Sequence, residues 1–314
     1  MTVLVTGARG FIGAATTVAL REAGFHVKAG VRGSPEAAGA IPCDLDAPSS
    51  LPEALRGVET VVHAAYGDIA AMPRQMQALL DAMSVAGAKN LILLSSIAVY
   101  GEAEGLVDEA TPPRGLDPYG AAKVACEAAI RVWAQGERRA VLLRPGIVYG
   151  AGSLFWIDKL AQRLRAGAWG EMGARGEGVA ALIHVDDLTA MIAGLATRLE
   201  APARTDLDRC LALNAVGPAT PSWNAYFVAL AEALNTPLPR WGASQICRRR
   251  ALALPAKVWR RLGLPGGGAL ALGPTGGELA LFARRASYAT GAARRLGLVP
   301  TIGLADGLSR SRLV

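Results

Sequence analysis

Tyr119 and Lys123 stand four residues apart in Tyr119-Gly120-Ala121-Ala122-Lys123, and Ser95-Ser96 closes the apolar run Leu91-Ile92-Leu93-Leu94. Positions four apart on a helix share a face, so the phenol and the ammonium are expected to point the same way. A lysine charge favours the phenolate, and the expected result is a tyrosine that exchanges its proton nearer neutral pH than its ordinary value of about 10. The apolar run reads as a buried strand, with Ser95 and Ser96 at its C-terminal end. A serine hydroxyl there, with a Tyr–Lys pair on a neighbouring helix, can handle the proton that accompanies a hydride transfer. A Tyr and a Lys at this spacing recur on many helices, so the order of the surrounding motifs carries the weight.

The elements that must position this trio follow a regular rhythm. Thr2-Val3-Leu4-Val5 is a short apolar strand, and Thr6-Gly7-Ala8-Arg9-Gly10-Phe11-Ile12-Gly13 follows it directly, with a helical pattern from about Ala14 to Ala23. Glycines at this point let a strand turn sharply into a helix whose first N–H groups face a pyrophosphate. A second strand, Val27 to Val31, ends at Arg32, where sites for NAD usually carry an acidic residue for the ribose 2′-hydroxyl. An arginine suits a 2′-phosphate instead, with Arg9 and Ser34 close by, so NADP is expected over NAD. A solvated surface arginine is the plainer alternative.

Asp44-Leu45 comes after a third short strand, Leu51 to Leu55 is helical, and Val61-Val62-His63 is a fourth strand leaving through Ala64-Ala65-Tyr66. The two small alanines let a cofactor pass close to the backbone, and His63, before the strand tip, reads as a packed structural residue. A helix over 75–87, a strand over 91–95, a helix over 119–134 and a strand over 140–143 continue the alternation. Strands and helices in this order predict an α/β fold with a doubly wound parallel sheet covered on both faces.

Bulk composition narrows the function classes. A chain of 314 residues with 52% hydrophobic and 19% charged residues is long enough for one large domain, or a domain with a smaller lobe, and is not disordered. Its net charge of +7 could suggest nucleic acid. However, the lysines are only Lys28, Lys89, Lys123, Lys159 and Lys257, and the remaining positive charge is arginine in a chain rich in alanine and glycine. That is a composition bias, and no nucleic-acid partner is expected. Cys43, Cys126, Cys210 and Cys247 are widely spaced, with no CxxC pair or nearby histidine cluster. They fit reduced thiols in the cytoplasm, without a disulfide frame or metal site. The first residues run straight into a strand, and no apolar stretch reaches the roughly 18–20 residues of a membrane span.

TGARGFIG, Asp44-Leu45, HAAY, SSIAVYG, YGAAK, Leu143-Arg144-Pro145-Gly146-Ile147-Val148-Tyr149-Gly150, Leu182-Ile183-His184-Val185-Asp186-Asp187 and Ala292-Ala293-Arg294-Arg295-Leu296-Gly297-Leu298 occur in this order. The set resembles the extended short-chain dehydrogenase/reductase superfamily, the NAD-dependent epimerase/dehydratase group, over essentially the whole chain. The resemblance implies a Rossmann domain over 1–150, with 178–200 contributing, and a smaller substrate-binding lobe from 151–177 and 201–314. It makes Ser96, Tyr119 and Lys123 the catalytic trio. Ser96 would hold the substrate oxygen, Tyr119 would move the proton, and Lys123 would hold the nicotinamide ribose while tuning Tyr119. Gly7, Gly10, Phe11, Ile12 and Gly13 would line the pyrophosphate, and Asp44 and Leu45 the adenine. Ala64, Ala65, Tyr66 and Pro145 would follow the rest of the cofactor, with Arg9 and Arg32 at its 2′-phosphate end. Family members often pair as homodimers through the helices corresponding to 75–87 and 119–134.

Three departures from the family pattern bear on the substrate. Dehydratases of the group carry an Asp–Glu pair after the active threonine, where this chain has Ile97 and Ala98. Nucleotide-sugar epimerases usually have an arginine four residues before the histidine of the IHVDD-like segment, and an asparagine three residues after the arginine of the RP motif. Here those places hold Ala180 and Ile147, although Arg175 could swing in. The expected activity is therefore interconversion of a secondary alcohol and a carbonyl on a small non-nucleotide substrate. A nucleotide-sugar epimerase is the alternative, and a non-catalytic dinucleotide-binding subunit the second.

Phe155, Trp156 and Trp169 are expected either to line an apolar pocket or to be ordinary core aromatics. Asp186 or Asp187 is expected to cap a helix over 188–199, and Trp223–Leu234 to be an amphipathic helix. Arg248-Arg249-Arg250 and Arg260-Arg261 read as solvated helix faces, and Gly263–Gly277 as a mobile loop or lid.

Overall fold

The computed structural model describes residues 1–34, 39–200, 208–261 and 271–313. Its strands in chain order are β1 (Thr2–Thr6), β2 (His26–Val31), β3 (Ala40–Pro42), β4 (Thr60–His63), β5 (Asn90–Leu94), β6 (Gly105–Val107), β7 (Arg139–Pro145), β8 (Ile147–Tyr149), β9 (Leu182–His184), β10 (Cys210–Ala215) and β11 (Ala286–Tyr288). The helices on which the site depends are α1 (Phe11–Glu22), α2 (Leu51–Leu55), α3 (Met72–Ala86), α4 (Pro118–Trp133), α5 (Lys159–Arg165), α6 (Val185–Glu200) and α7 (Trp223–Ala233).

Seven strands form one parallel sheet in the order β10-β7-β5-β4-β1-β2-β3. The order reverses between β1 and β4, so the loops leaving those strands diverge and open a crevice at the sheet's C-terminal edge. All five residues of β5 are buried, as a central parallel strand requires. Burying Leu91, Ile92, Leu93 and Leu94 contributes roughly 1.5–3 kcal/mol each. On one face Val3, Val5, Ile92 and Val141 pack under α1 and α6, while on the other Leu4, Val61, Leu91 and Leu93 pack under α2, α3 and α4.

The seventh strand differs from the expected division of the chain. Cys210–Ala215 lies within the stretch assigned to the substrate lobe, yet it pairs with β7 in register, Asn214 beside Arg144 and Ala215 beside Pro145. β7 would otherwise end the sheet with a row of unpaired backbone groups, and β10 satisfies them. Leu298 and Ala293, also from the C-terminal part, pack into the sheet's core with Leu195 and Ile192 of α6.

A separate aromatic core builds the second lobe. Trp169, Trp223, Phe227 and Phe282 interlock, with the Trp223 and Phe282 rings 4.6 Å apart. Trp169 is 1% exposed, donates its indole N–H to the Leu272 carbonyl, and carries the Arg163 guanidinium 4.4 Å over its ring. It is a core residue. Trp156 packs beside Trp223, and Phe155 stays exposed beneath the Lys159 ammonium.

Asp186 and Asp187 do not cap a helix. α6 begins at Val185, which places both carboxylates in its first turn, where they complement the dipole. Asp187 accepts hydrogen bonds from the backbone N–H groups of Thr301 and Ile302 at 3.0 and 2.9 Å, tying the C-terminal segment to α6. Arg249 stacks over Trp241 at 4.2 Å, so that basic run is partly packed. Most of Gly263–Gly277, and the side chains of Arg260 and Arg261, lie outside the described residues. Among the described residues no helix is long and apolar enough to cross a membrane.

Candidate active site

The tip of β5 is the centre of the site. β5 ends at Leu94, Ser95 follows, and Ser96 starts the turn Ile97–Tyr100 by accepting the Ala98 N–H on its hydroxyl at 3.1 Å. α4 starts beside it. Asp117 caps the helix by accepting the Gly120 N–H at 2.9 Å, and Pro118 supplies a first helical residue whose missing N–H costs nothing there. Tyr119, Lys123 and Glu127 then fall on one face at successive turns.

The trio converges. The Ser96 hydroxyl lies close enough to Tyr119 to bear on its phenol, and the Lys123 ammonium lies 5.7 Å from the centre of the Tyr119 ring. Tyr66, leaving β4, packs edge-on against Tyr119 with ring centres 5.9 Å apart and remains 61% exposed, so it borders open space above the phenol.

The electrostatics differ from expectation. Burial pushes the Tyr119 phenol up to about 12, opposed by the nearby Ser96 hydroxyl and reinforced by Tyr66 and Asp117. The Lys123 ammonium is engaged elsewhere, donating to the Leu94 carbonyl at 2.6 Å. Lys123 itself is 4% exposed, and burial pulls it down to about 8 against the opposing influence of Cys126 and Glu127. The protonated phenol is the form that can give a proton to a substrate oxygen.

Across the crevice, β1 runs into the glycine turn. Gly7 has φ +70°, and a Cβ there would sit 2.6 Å from Ala65 Cα; one on Gly13 would sit 2.2 Å from the Gly7 carbonyl oxygen. Only glycine allows α1 to start this close to β1 and to the Ala64-Ala65 exit of β4. Gly10 precedes α1 without a side-chain cap, and the first turn of α1 has no acidic residue. The turn, with Phe11 and Ile12 half-buried beside it, therefore presents a helix start suited to a pyrophosphate.

Arg9 leaves this turn and donates to the carbonyls of Arg32 and Ser34 at 3.1 and 2.7 Å. It brings two exposed guanidinium groups to the end of β2, with the Asp46 carboxylate also facing Arg32. Asp44 is half-buried and accepts the Asp46 N–H on its side chain, whereas the Leu45 side chain is packed in the core. Pro145 is buried as the last residue of β7. His63 is buried, bonded to Thr6 at 2.9 Å, and held down to about 3 by burial and by the Lys123 charge, which makes it structural.

Ile147 and Ala180 are both buried in the second lobe's apolar core, so neither presents a polar group to a ligand. Arg175 is exposed on the turn Gly173–Gly176. Glu127 went unrecognised in the sequence. It is 1% exposed and binds Arg144 through both carboxylate oxygens, at 2.9 and 2.6 Å. The signal was its spacing, one further turn beyond Lys123. Among the described residues no group of His, Cys, Asp and Glu is gathered to hold a metal ion.

Comparison with known proteins bears on the same residues. The model of the NAD dependent epimerase/dehydratase family matches residues 3–206. The 2′-dehydrokanamycin reductase of Streptomyces kanamyceticus is 31% identical over 217 residues, which is 62% of this chain and 57% of that protein. The UDP-glucose 4-epimerase of Streptomyces lividans is 32% identical over 147 residues, 40% of this chain and 45% of that protein. The chain thus spans about half the length of these curated relatives. A solved structure of MoeE5 in complex with UDP-glucuronic acid and NAD is similar with a TM-score of 0.72 at 25% identity, covering 99% of this chain and 97% of that one. The family match spans well over half of the residues and includes the glycine turn, the β5 tip and α4, so the chain belongs to the NAD-dependent epimerase/dehydratase family.

Proposed function

We propose that this chain is an NADP(H)-dependent oxidoreductase that interconverts a secondary alcohol and the corresponding carbonyl on a small, non-nucleotide substrate. The observation that carries the reading is the meeting of Ser96, Tyr119 and Lys123 at the β5 tip, beside the glycine turn. Reduced nicotinamide, when bound, would supply the hydride for the carbonyl carbon. Ser96 holds the carbonyl oxygen, and Tyr119 gives that oxygen its phenol proton as the C=O double bond becomes a C–O–H. Lys123 lies near enough to stabilise the phenolate left behind. In the reverse direction Tyr119 takes the alcohol proton. Gly7, Gly10, Phe11, Ile12 and Gly13 would hold the pyrophosphate, Asp44 and Leu45 the adenine end, and Ala64, Ala65, Tyr66 and Pro145 the nicotinamide half. Arg9 and Arg32 would bind the 2′-phosphate and favour NADP over NAD.

The buried Ile147 and Ala180 support a substrate without a diphosphate, and the similarity to a reductase of dehydrokanamycin agrees with it. The second lobe, from 151–177 and the C-terminal part apart from β10, would cover the substrate. A homodimer through α3 and α4 belongs to the same reading and is tested by sedimentation. The similarity to a UDP-glucose 4-epimerase keeps epimerisation as the second reading. Titrating NADPH and NADH separately by fluorescence, then screening ketones and aldehydes for cofactor oxidation, tests the first. Saturable NADPH binding with turnover of a carbonyl compound is expected. A nucleotide sugar copurifying by mass spectrometry, with its epimer formed on incubation, would replace that reading with the second.

A further inference from the structure

We propose that Glu127 is a positioning residue: with Lys123 it clamps the tip of β5 onto α4, and so holds Ser96 in place beside Tyr119. The proposal rests on the oxidoreductase reading for its consequence in turnover, but its geometry stands apart from it.

Lys123 and Glu127, one helical turn apart, grip consecutive residues of the strand tip. The Lys123 ammonium donates to the Leu94 carbonyl at 2.6 Å, and the Ser95 hydroxyl donates to Glu127 Oε1 at 2.6 Å. Ser96, next in the chain, has no freedom to drift while both bonds hold. The far end of its turn is held by the same network. Arg144, bound to both oxygens of Glu127, donates through its third nitrogen to the Tyr100 hydroxyl at 2.8 Å, and Tyr100 donates to Asn214 Oδ1 at 2.7 Å. The turn from Ser96 to Tyr100 is thus pinned at Ser95 by α4 and at Tyr100 by β7 and β10. Between the pins α4 lies against it so closely that a Cβ on Gly120 would come 2.7 Å from the Ala98 carbonyl oxygen.

The chemistry of the clamp suits precision more than stability. Glu127, Arg144 and Asn214 are fully buried, and desolvating such an ion pair offsets most of its attraction. A packed apolar trio could fill the space, but it would not fix a hydroxyl to hydrogen-bond tolerance. The groups facing Lys123 are Tyr119, Cys126 and Glu127 on α4 and His63 on β4; against the dominant lowering by burial, Cys126 and then Glu127 raise the ammonium's pKa.

Two variants of the full chain test the proposal. Ser95→Ala removes one grip and leaves the Glu127–Arg144 pair intact, so it should fold. Glu127→Gln keeps the shape and an acceptor but removes the charge. In Ser95→Ala, kcat should fall roughly ten- to a hundredfold with the KM for NADPH little changed. In Glu127→Gln, the alkaline limb of the pH–rate profile should also move to lower pH. Independently of substrate, the phenol carbon signal of Tyr119 in 13C-tyrosine-labelled protein, assigned with Tyr119→Phe, should shift in both variants as Ser96 moves relative to the phenol. Loss of activity in proportion to unfolded protein, with the Tyr119 signal of the folded fraction unmoved, would overturn the proposal. Failure of the wild type to bind either cofactor would instead overturn the oxidoreductase reading, with the Tyr119 signal still deciding the clamp.

Discussion

The Lys123 ammonium donates to the carbonyl of Leu94, two residues before Ser96, and not to the phenol of Tyr119 on its own helix. A buried ammonium needs a strong acceptor, and the strand-tip carbonyl provides one in a place that also ties α4 to β5. Lys123 therefore acts on the phenol by proximity, 5.7 Å from its ring centre, and the burial that surrounds both groups dominates their titration.

Tyr119→Phe should retain NADPH affinity and lose turnover by about 10²–10⁴-fold, the usual contribution of a placed proton donor. Fluorescence titration and steady-state rates measure the two separately, and unchanged turnover would reject Tyr119 as the proton carrier.

Lys123 gives activity and stability opposite pH trends. Its folded value, about 8, lies below its ordinary 10.5, so between these limits the unfolded chain binds more protons. Stability from this group is therefore lowest below about 8 and rises as pH climbs through the window, while turnover falls as the ammonium is lost. Lys123→Met should flatten both, as read from pH–rate profiles and urea midpoints.

His63 acts at the acid end. It stays neutral when folded down to about 3, whereas its ordinary value is 6.5. Its contribution is fully present above 6.5 and is lost as pH falls toward 3, at up to ~1.4 kcal/mol per pH unit. His63→Asn should have a shallower loss of urea midpoint over that range; an identical slope would show that other groups carry it.

Arg32→Ala should weaken NADPH roughly ten- to a hundredfold, the value of a charge-assisted phosphate contact, and leave NADH nearly unchanged. Arg9→Ala is expected to weaken NADPH as well, and to loosen the end of β2 through loss of its bonds to the Arg32 and Ser34 carbonyls. Equal losses for both cofactors in Arg32→Ala would remove it from the 2′-phosphate site.

The alternation of β1, α1, β2 and the later strands was legible because each element's pattern is local: apolar runs of five or so residues, glycines at a forced turn, a four-residue spacing on a helix. These local signals also placed Ser95 and Ser96 at the strand tip and Tyr119 and Lys123 on one helix face, while the choice of Ser96 over Ser95 and the roles of the trio came from the family resemblance. Residues whose partners lie far along the chain were not legible. Glu127 meets Arg144 and Ser95, Asp187 meets Thr301 and Ile302, and β10 meets β7, all across separations that no spacing rule encodes. The titration of Tyr119 belongs with them, because the sequence sets which charges are near but only the folded chain decides which way an ammonium turns and how much water surrounds a phenol.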